Sequence, residues 1–189
     1  MKLLSRKWYQ RDTLTVAREL LGKVLVVGGA RVRLVETEAY HGDDPASHCR
    51  NGPTDRCRVM FGPGGVAYVY FIYGMYEMLN LVTEQDGYPG AVLIRGAVPL
   101  SGLPEGARLD GPGKLCRALG IRLSDTGRFF RVYDDGCRPR RVERTPRVGI
   151  TAGTEKLWRF LATGPECIGE ATYRAASAAA PSRAETALR

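Results

Sequence analysis

Residues 31–40 (RVRLVETEAY) narrow the fold more than any other stretch. Polar and apolar side chains alternate through them with the period of a β-strand that turns one face to a core. Every second side chain of a strand shares a face. Val32 and Leu34 are therefore expected to point the same way as Glu36, Glu38 and Tyr40, with Arg31 and Arg33 on the other side. A carboxylate on the more apolar face costs free energy unless it is hydrogen-bonded, paired or put to use. Two readings are open: an ion pair with Arg33, Arg95 or another arginine, or a general base that activates water.

The flanking sequence supplies partners for this strand. Residues 24–27 (VLVV) read as a buried strand, joined to it by the Gly28-Gly29 turn as a hairpin. Ahead of them, residues 12–21 have Leu14, Ala17 and Leu21 on one helical face, with Asp12 as cap and Gly22 as stop. Residues 41–65 are polar and rich in Gly and Pro, a long loop of the kind that often carries function. Residues 67–72 (AYVYFI) and 75–83 read as strands around a Tyr73-Gly74 turn, and 91–100 as another strand. A short helix is expected over 114–119, then weaker strand signals at 130–133, 147–150 and 158–162. Strands in hairpin succession with few helices give an α+β class and no βαβ rhythm. One domain is expected over residues 1–170. The Ala- and Ser-rich tail, 171–189, lacks an apolar face and is expected to be disordered.

Composition excludes more than it selects. A chain of 189 residues is long enough for a real core. No apolar run approaches the roughly 18–20 residues that span a bilayer, and no signal-like segment opens the chain, so a cytoplasmic location is the default. Five cysteines at scattered spacings, with no C-x-x-C pair, are expected to be reduced thiols; with only two histidines, no metal site is expected. The 28 Lys and Arg against 20 Asp and Glu give a net charge of +8, compatible with nucleic acid, an anionic membrane or acidic substrates.

Phosphate loops and covalent nucleophiles find little support. Gly111-Pro112-Gly113-Lys114 lacks P-loop spacing and the Ser or Thr that comes after the lysine, although a helix start at Lys114 could hold a backbone phosphate. No G-x-S-x-G elbow is present, and no cysteine has a clear histidine partner. What remains is a carboxylate among Tyr40, His48, Tyr68, Tyr70, Tyr73 and Tyr76. Singly, such rings are core filler; with basic loops they also suit stacking on nucleobases, at roughly 1–3 kcal/mol per base.

The blocks VETEAY, ASH, TDRCRVMFGPGG, AYVYFIYGMYEMLNLV, VLIRGAVPL, GPGKLCRALGI and PRVGI, in that order, resemble the alkyladenine (3-methyladenine) DNA glycosylases. The resemblance runs from about Tyr9 to Ala162. It implies a single α+β domain with a curved antiparallel sheet and surrounding helices, and hydrolysis of the N-glycosidic bond of damaged purines flipped out of double-stranded DNA. By the same resemblance Glu38 is the general base, and Tyr40, His48 and Tyr70 stack on the flipped base. Asn80 crowds the exocyclic amine of guanine, and Tyr73 enters the duplex where the base has left. Arg95 lies near the catalytic water and the DNA backbone, and Thr54, Arg56 and Met60 touch DNA from the loop.

The chain departs from the animal members in a loop one residue shorter before His48, in Cys57 where Asn is common, and in Gly52 or Pro53 where an arginine falls. No lysine occupies a pocket position in the matched motifs, so no Schiff base and no strand cleavage are expected, and no cofactor is implied. A monomer without an obligate protein partner, associated with the nucleoid of a prokaryotic cytoplasm, is the expectation. The alternative is a module that binds damaged bases or other nucleic acid without chemistry; an intact Glu38 argues against it.

Overall fold

The computed structural model describes residues 1–164. The expected tail, and the last residues of the expected domain, lie outside the described residues.

Among the described residues, nine strands form one antiparallel sheet: β1 (Lys2–Leu3), β2 (Val24–Val27), β3 (Ala30–Tyr40), β4 (Ala67–Ile72), β5 (Tyr76–Val82), β6 (Ala91–Ser101), β7 (Arg131–Asp134), β8 (Val142–Thr145) and β9 (Arg159–Ala162). Their order is β1-β7-β2-β3-β6-β5-β4. Beyond the end of β2, β9 takes over pairing with the second half of β3, and β8 pairs with β9. The sheet curls into a half-barrel, and the architecture is the expected α+β domain. Strand β3 is central because it is long enough to hold β6 along one edge and two short strands along the other.

Three helices, α1 (Arg6–Tyr9), α2 (Thr13–Glu19) and α3 (Pro112–Leu119), accompany the sheet. Asp12 caps α2 by accepting the Thr15 N–H at 2.8 Å. Pro112 opens α3 and Gly120, at φ +65°, closes it. Val16, Ala17 and Leu20 around α2 and Leu115, Cys116 and Leu119 of α3 join Val32, Leu34, Val69, Leu79, Leu81, Val92 and Ile94 in the main core. This core covers one face of the sheet. The other face is covered only in part, by the long loop 41–66, whose Cys49, Cys57 and Met60 pack on Tyr68, Val82 and Ala91.

The alternation expected of residues 31–40 holds only in halves. The register runs Leu34 to Ala97, Glu36 to Gly96 and Thr37 to Ile94, so Val35 and Arg95 are each extra residues opposite their partner strand. The irregularity reverses the facing of the residues C-terminal to it in β3. Ala30, Val32 and Leu34 enter the main core, and so does Ala39, while Thr37 donates its hydroxyl to the Ala17 carbonyl of α2 at 2.8 Å. Glu36, Glu38 and Tyr40 do share a face, but the one opposite to Val32 and Leu34.

Two further expectations are corrected. Residues 147–150 are turn and coil, not strand. Cys49 and Cys57 are joined as a disulfide, Cα atoms 6.0 Å apart, because the loop folds back and buries both beside Met60. The expectation of reduced thiols fails for this pair; Cys116 is free and buried.

Candidate active site

Glu38 is completely buried. Its Oε2 accepts the Tyr40 hydroxyl at 2.9 Å, and its Oε1 accepts the Val148 backbone N–H at 2.8 Å. The guanidinium of Arg95 approaches Oε1 at 3.3 Å and bonds Glu36 Oε1 at 3.0 Å. Glu36 is held in turn by Arg159 at 2.7 Å. Of the two readings of the carboxylates, the ion pair therefore describes Glu36 fully and Glu38 partly. Burial raises the Glu38 pKa above the usual carboxylate range, against the opposing pull of Arg95, the Val148 N–H and the Tyr40 hydroxyl. Burial and the adjacent carboxylate also hold the Tyr40 phenol well above its ordinary value.

Tyr40, Arg95 and Val148, the three groups that contact Glu38, also wall a cavity of about 680 Å³. That volume lies inside the range of roughly 300–1,000 Å³ typical of small-molecule sites. The strand phase after the β3–β6 irregularity turns Tyr40 into it, beside Leu93 and Arg95 of β6, Tyr70 of β4 and Asn80 of β5. The loop adds His48 and Met60, and the β4–β5 turn adds Tyr73. Seven residues expected at the site thus line one cavity: Tyr40, His48, Met60, Tyr70, Tyr73, Asn80 and Arg95. Glu38 lies directly behind its wall.

Within the cavity the rings are polar and preset. His48 meets Tyr70 edge-on, centroids 4.7 Å apart at 84°, and its Nδ1 bonds the Tyr68 hydroxyl at 2.8 Å. Loss of solvent and the nearby Arg56 charge lower the His48 pKa to about 4, so the ring is neutral at neutral pH. Burial and the hydroxyl of Tyr68 push Tyr70 up to about 12. Asn80 is buried, and its amide nitrogen donates to the Tyr68 carbonyl at 3.1 Å, which fixes the side chain against β4.

The remaining expected residues sit apart. Arg56 is exposed, with its guanidinium 5.3 Å from the Tyr70 ring centroid. Thr54 is exposed and bonds Cys57 Sγ at 3.3 Å. Lys114 is not in the cavity wall; its Nζ bonds Asp110 at 2.9 Å, while Pro112 of the same helix start reaches the wall. Met60, placed by resemblance against DNA, is almost wholly buried and can meet only what enters the cavity.

Sequence reasoning missed the Val148 N–H, the Arg147–Asp44 ion pair and Arg159. A backbone donor leaves no trace in residue type, and the other two act on partners more than a hundred positions away. Asp12, His41 and Glu84 also gather, ligand atoms within 4.8 Å of one another. Their carboxylates are occupied, however: Asp12 caps α2, and Glu84 accepts the N–H and hydroxyl of Thr13.

An aromatic cavity backed by a buried carboxylate, on a basic chain, is an arrangement that suits a flat polar ring. The model of the methylpurine-DNA glycosylase family matches residues 7–166, and the chain belongs to that family of hydrolytic DNA glycosylases. Its relatives include a protein of Rickettsia felis, 49% identical over 169 residues, which are 85% of this chain and 93% of the relative. A Sodalis glossinidius protein is 49% identical over 165 residues, 84% of this chain and 95% of its own. One from Anaeromyxobacter sp. is 50% identical over 182 residues, 89% of this chain and 93% of its own. All three carry the provisional name 3-methyladenine DNA glycosylase.

Proposed function

We propose that this enzyme removes alkylated or deaminated purines from double-stranded DNA: it flips the nucleotide into the cavity and hydrolyses the N-glycosidic bond with a water activated by Glu38. The observation that carries the reading is the Glu38 carboxylate, buried yet held by three groups that are themselves cavity wall. Flipping costs a few kcal/mol, least at a lesion. Tyr73, 76% exposed at the hairpin tip, is the side chain suited to fill the gap in the duplex. Tyr40, His48 and Tyr70 offer the rings on which the base stacks, and Asn80 the contact that screens out guanine.

Bond breaking develops positive charge on the sugar, as in glycoside hydrolysis. An ionised Glu38 stabilises that charge and accepts the water proton, with Arg95 orienting the water and Glu36 holding Arg95. A purine made cationic by methylation leaves readily. The matched pocket positions carry no lysine, so the product is an abasic site in an uncut strand. One flipped base needs no symmetry partner, and the enzyme acts as a monomer.

The Glu38→Gln variant tests the reading. It should bind lesion-containing duplex like the wild type while base release drops by a factor of about 10²–10⁴ or more. Base release at the wild-type rate would remove Glu38 from the role. Loss of release by the wild type itself, with lesion-dependent binding kept, would favour a recognition module without chemistry.

A further inference from the structure

Asp44 and Arg147 form an ion pair whose two side chains are both wholly buried, across 103 positions of sequence. Arg147 Nη2 bonds Asp44 Oδ1 at 3.0 Å, and its Nη1 contacts Asp44 Oδ2 and donates to the Ala39 carbonyl at 2.9 Å. The guanidinium lies 4.7 Å from the Tyr40 ring centroid and 5.1 Å from that of Trp158. Lys156, stacked on Trp158 at 4.2 Å, reaches Asp44 at 3.6 Å. Such a pair is weak as a source of stability, because desolvating both charges offsets their attraction. Among the described residues the buried Arg147 Nε has no hydrogen-bond partner, a further cost. The arrangement calls for a reason other than stability.

Its position supplies one. Asp44 belongs to the segment that ends at His48, and the N–H groups of Ala46 and Ser47 bond its side chain and carbonyl. Arg147 immediately precedes Val148, whose N–H donates to Glu38 Oε1. Its guanidinium backs Tyr40, whose hydroxyl donates to Glu38 Oε2. One buried pair therefore ties together both donors on the carboxylate and two walls of the cavity. We infer that Arg147 and Asp44 are positioning residues: a clasp that sets Tyr40 and the Val148 N–H against Glu38 and locks the His48 segment over the base pocket. The inference rests on the proposed function, since it assigns the clasp to base release.

The consequence is specific to Glu38. Facing that carboxylate are Glu36 and Tyr40 from β3, Arg95 from β6, Tyr70 from β4 and the Val148 N–H, with Arg159 of β9 and Arg147 one contact further out. Without the clasp, the Val148 N–H and Tyr40 hydroxyl drift, and both favour the ionised form. The acid limb of the base-release rate should then move to higher pH.

The experiment measures single-turnover release of free purine from methylated duplex against pH for the wild type, Asp44→Asn, Arg147→Lys and the double variant Asp44→Leu/Arg147→Met, each with its melting curve. The double variant replaces the pair with apolar volume and is expected to fold. The clasp predicts a rate down by about 10²-fold at neutral pH, from misplacement near the chemistry, and an acid limb shifted upward, even in variants that melt with the wild type. A folded double variant with the wild-type rate and profile would overturn it. So would losses that are uniform in pH and track only the fraction folded. Absence of release by the wild type would instead overturn the proposed function and the clasp with it.

Discussion

Burial makes ionisation of Glu38 costly. Its folded-state pKa is raised, so it would favour the folded state fully only below its unfolded pKa, and that contribution is lost as pH rises through the raised value. Above that raised pKa the ionised carboxylate therefore works against stability, and there Glu38→Gln should melt no lower than the wild type while losing activity. In the proposed role, protonation removes the base, so the wild-type rate should fall on acidification at a pH above the ordinary carboxylate value; a flat rate through that window would contradict the assignment. Tyr73 shows the same trade. It sits at φ +55°, a left-handed conformation that costs a bulky residue roughly 1–2 kcal/mol. Tyr73→Gly should raise stability in urea by about 0.5–1 kcal/mol, after the added freedom of the unfolded chain is counted, and should lose preference for lesion over normal duplex. Unchanged preference would remove Tyr73 from the duplex.

Strands β3 and β6 position this chemistry through one shared irregularity. With strict alternation, Glu38 would face α2 and the apolar core; the extra residues Val35 and Arg95 turn it to the cleft instead. The strands themselves are legible in the sequence, because residues 31–40 alternate polar and apolar side chains and residues 67–72 and 91–100 are rich in apolar ones. The change of phase is not, since a bulge is set by partner register and Val35 reads like any strand residue. The same holds for β8 and for the coil at 147–150, whose sequences are balanced locally and decided by what they pack on. The start of α3 approaches β5 so closely that a Cβ on Gly113 would lie 2.6 Å from the Tyr76 ring. Gly113→Ala should therefore destabilise by about 1–3 kcal/mol through overpacking, measured as a lower urea midpoint; a wild-type midpoint would mean that the helix can retreat.

The whole molecule divides its labour between two faces of one sheet: helices and the main core on one, the loop and the cavity on the other. The class of chemistry was legible through the ordered motifs that resemble the glycosylase family; the carboxylate and rings by themselves give only an aromatic pocket suited to nucleic acid. The hold on Glu38 was legible only in Arg95, which the sequence offers as an ion-pair partner; Arg147, Val148 and Arg159 act from more than a hundred positions away. A net charge of +8 favours association with a polyanion. The logarithm of its DNA association constant should fall linearly with the logarithm of salt concentration, by about 0.9 for each phosphate neutralised; a flat plot would place the charge away from DNA. The central claim is that the cavity in front of Glu38 hydrolyses a glycosidic bond. It is tested most directly by incubating wild type and Glu38→Gln with methylated duplex, then counting free purines by chromatography and alkali-labile sites on the same DNA. The expected result is free 3-methyladenine from the wild type alone, matched one for one by abasic sites in strands that stay intact until alkali is added. Equal release by the variant, or no release by either, would contradict it.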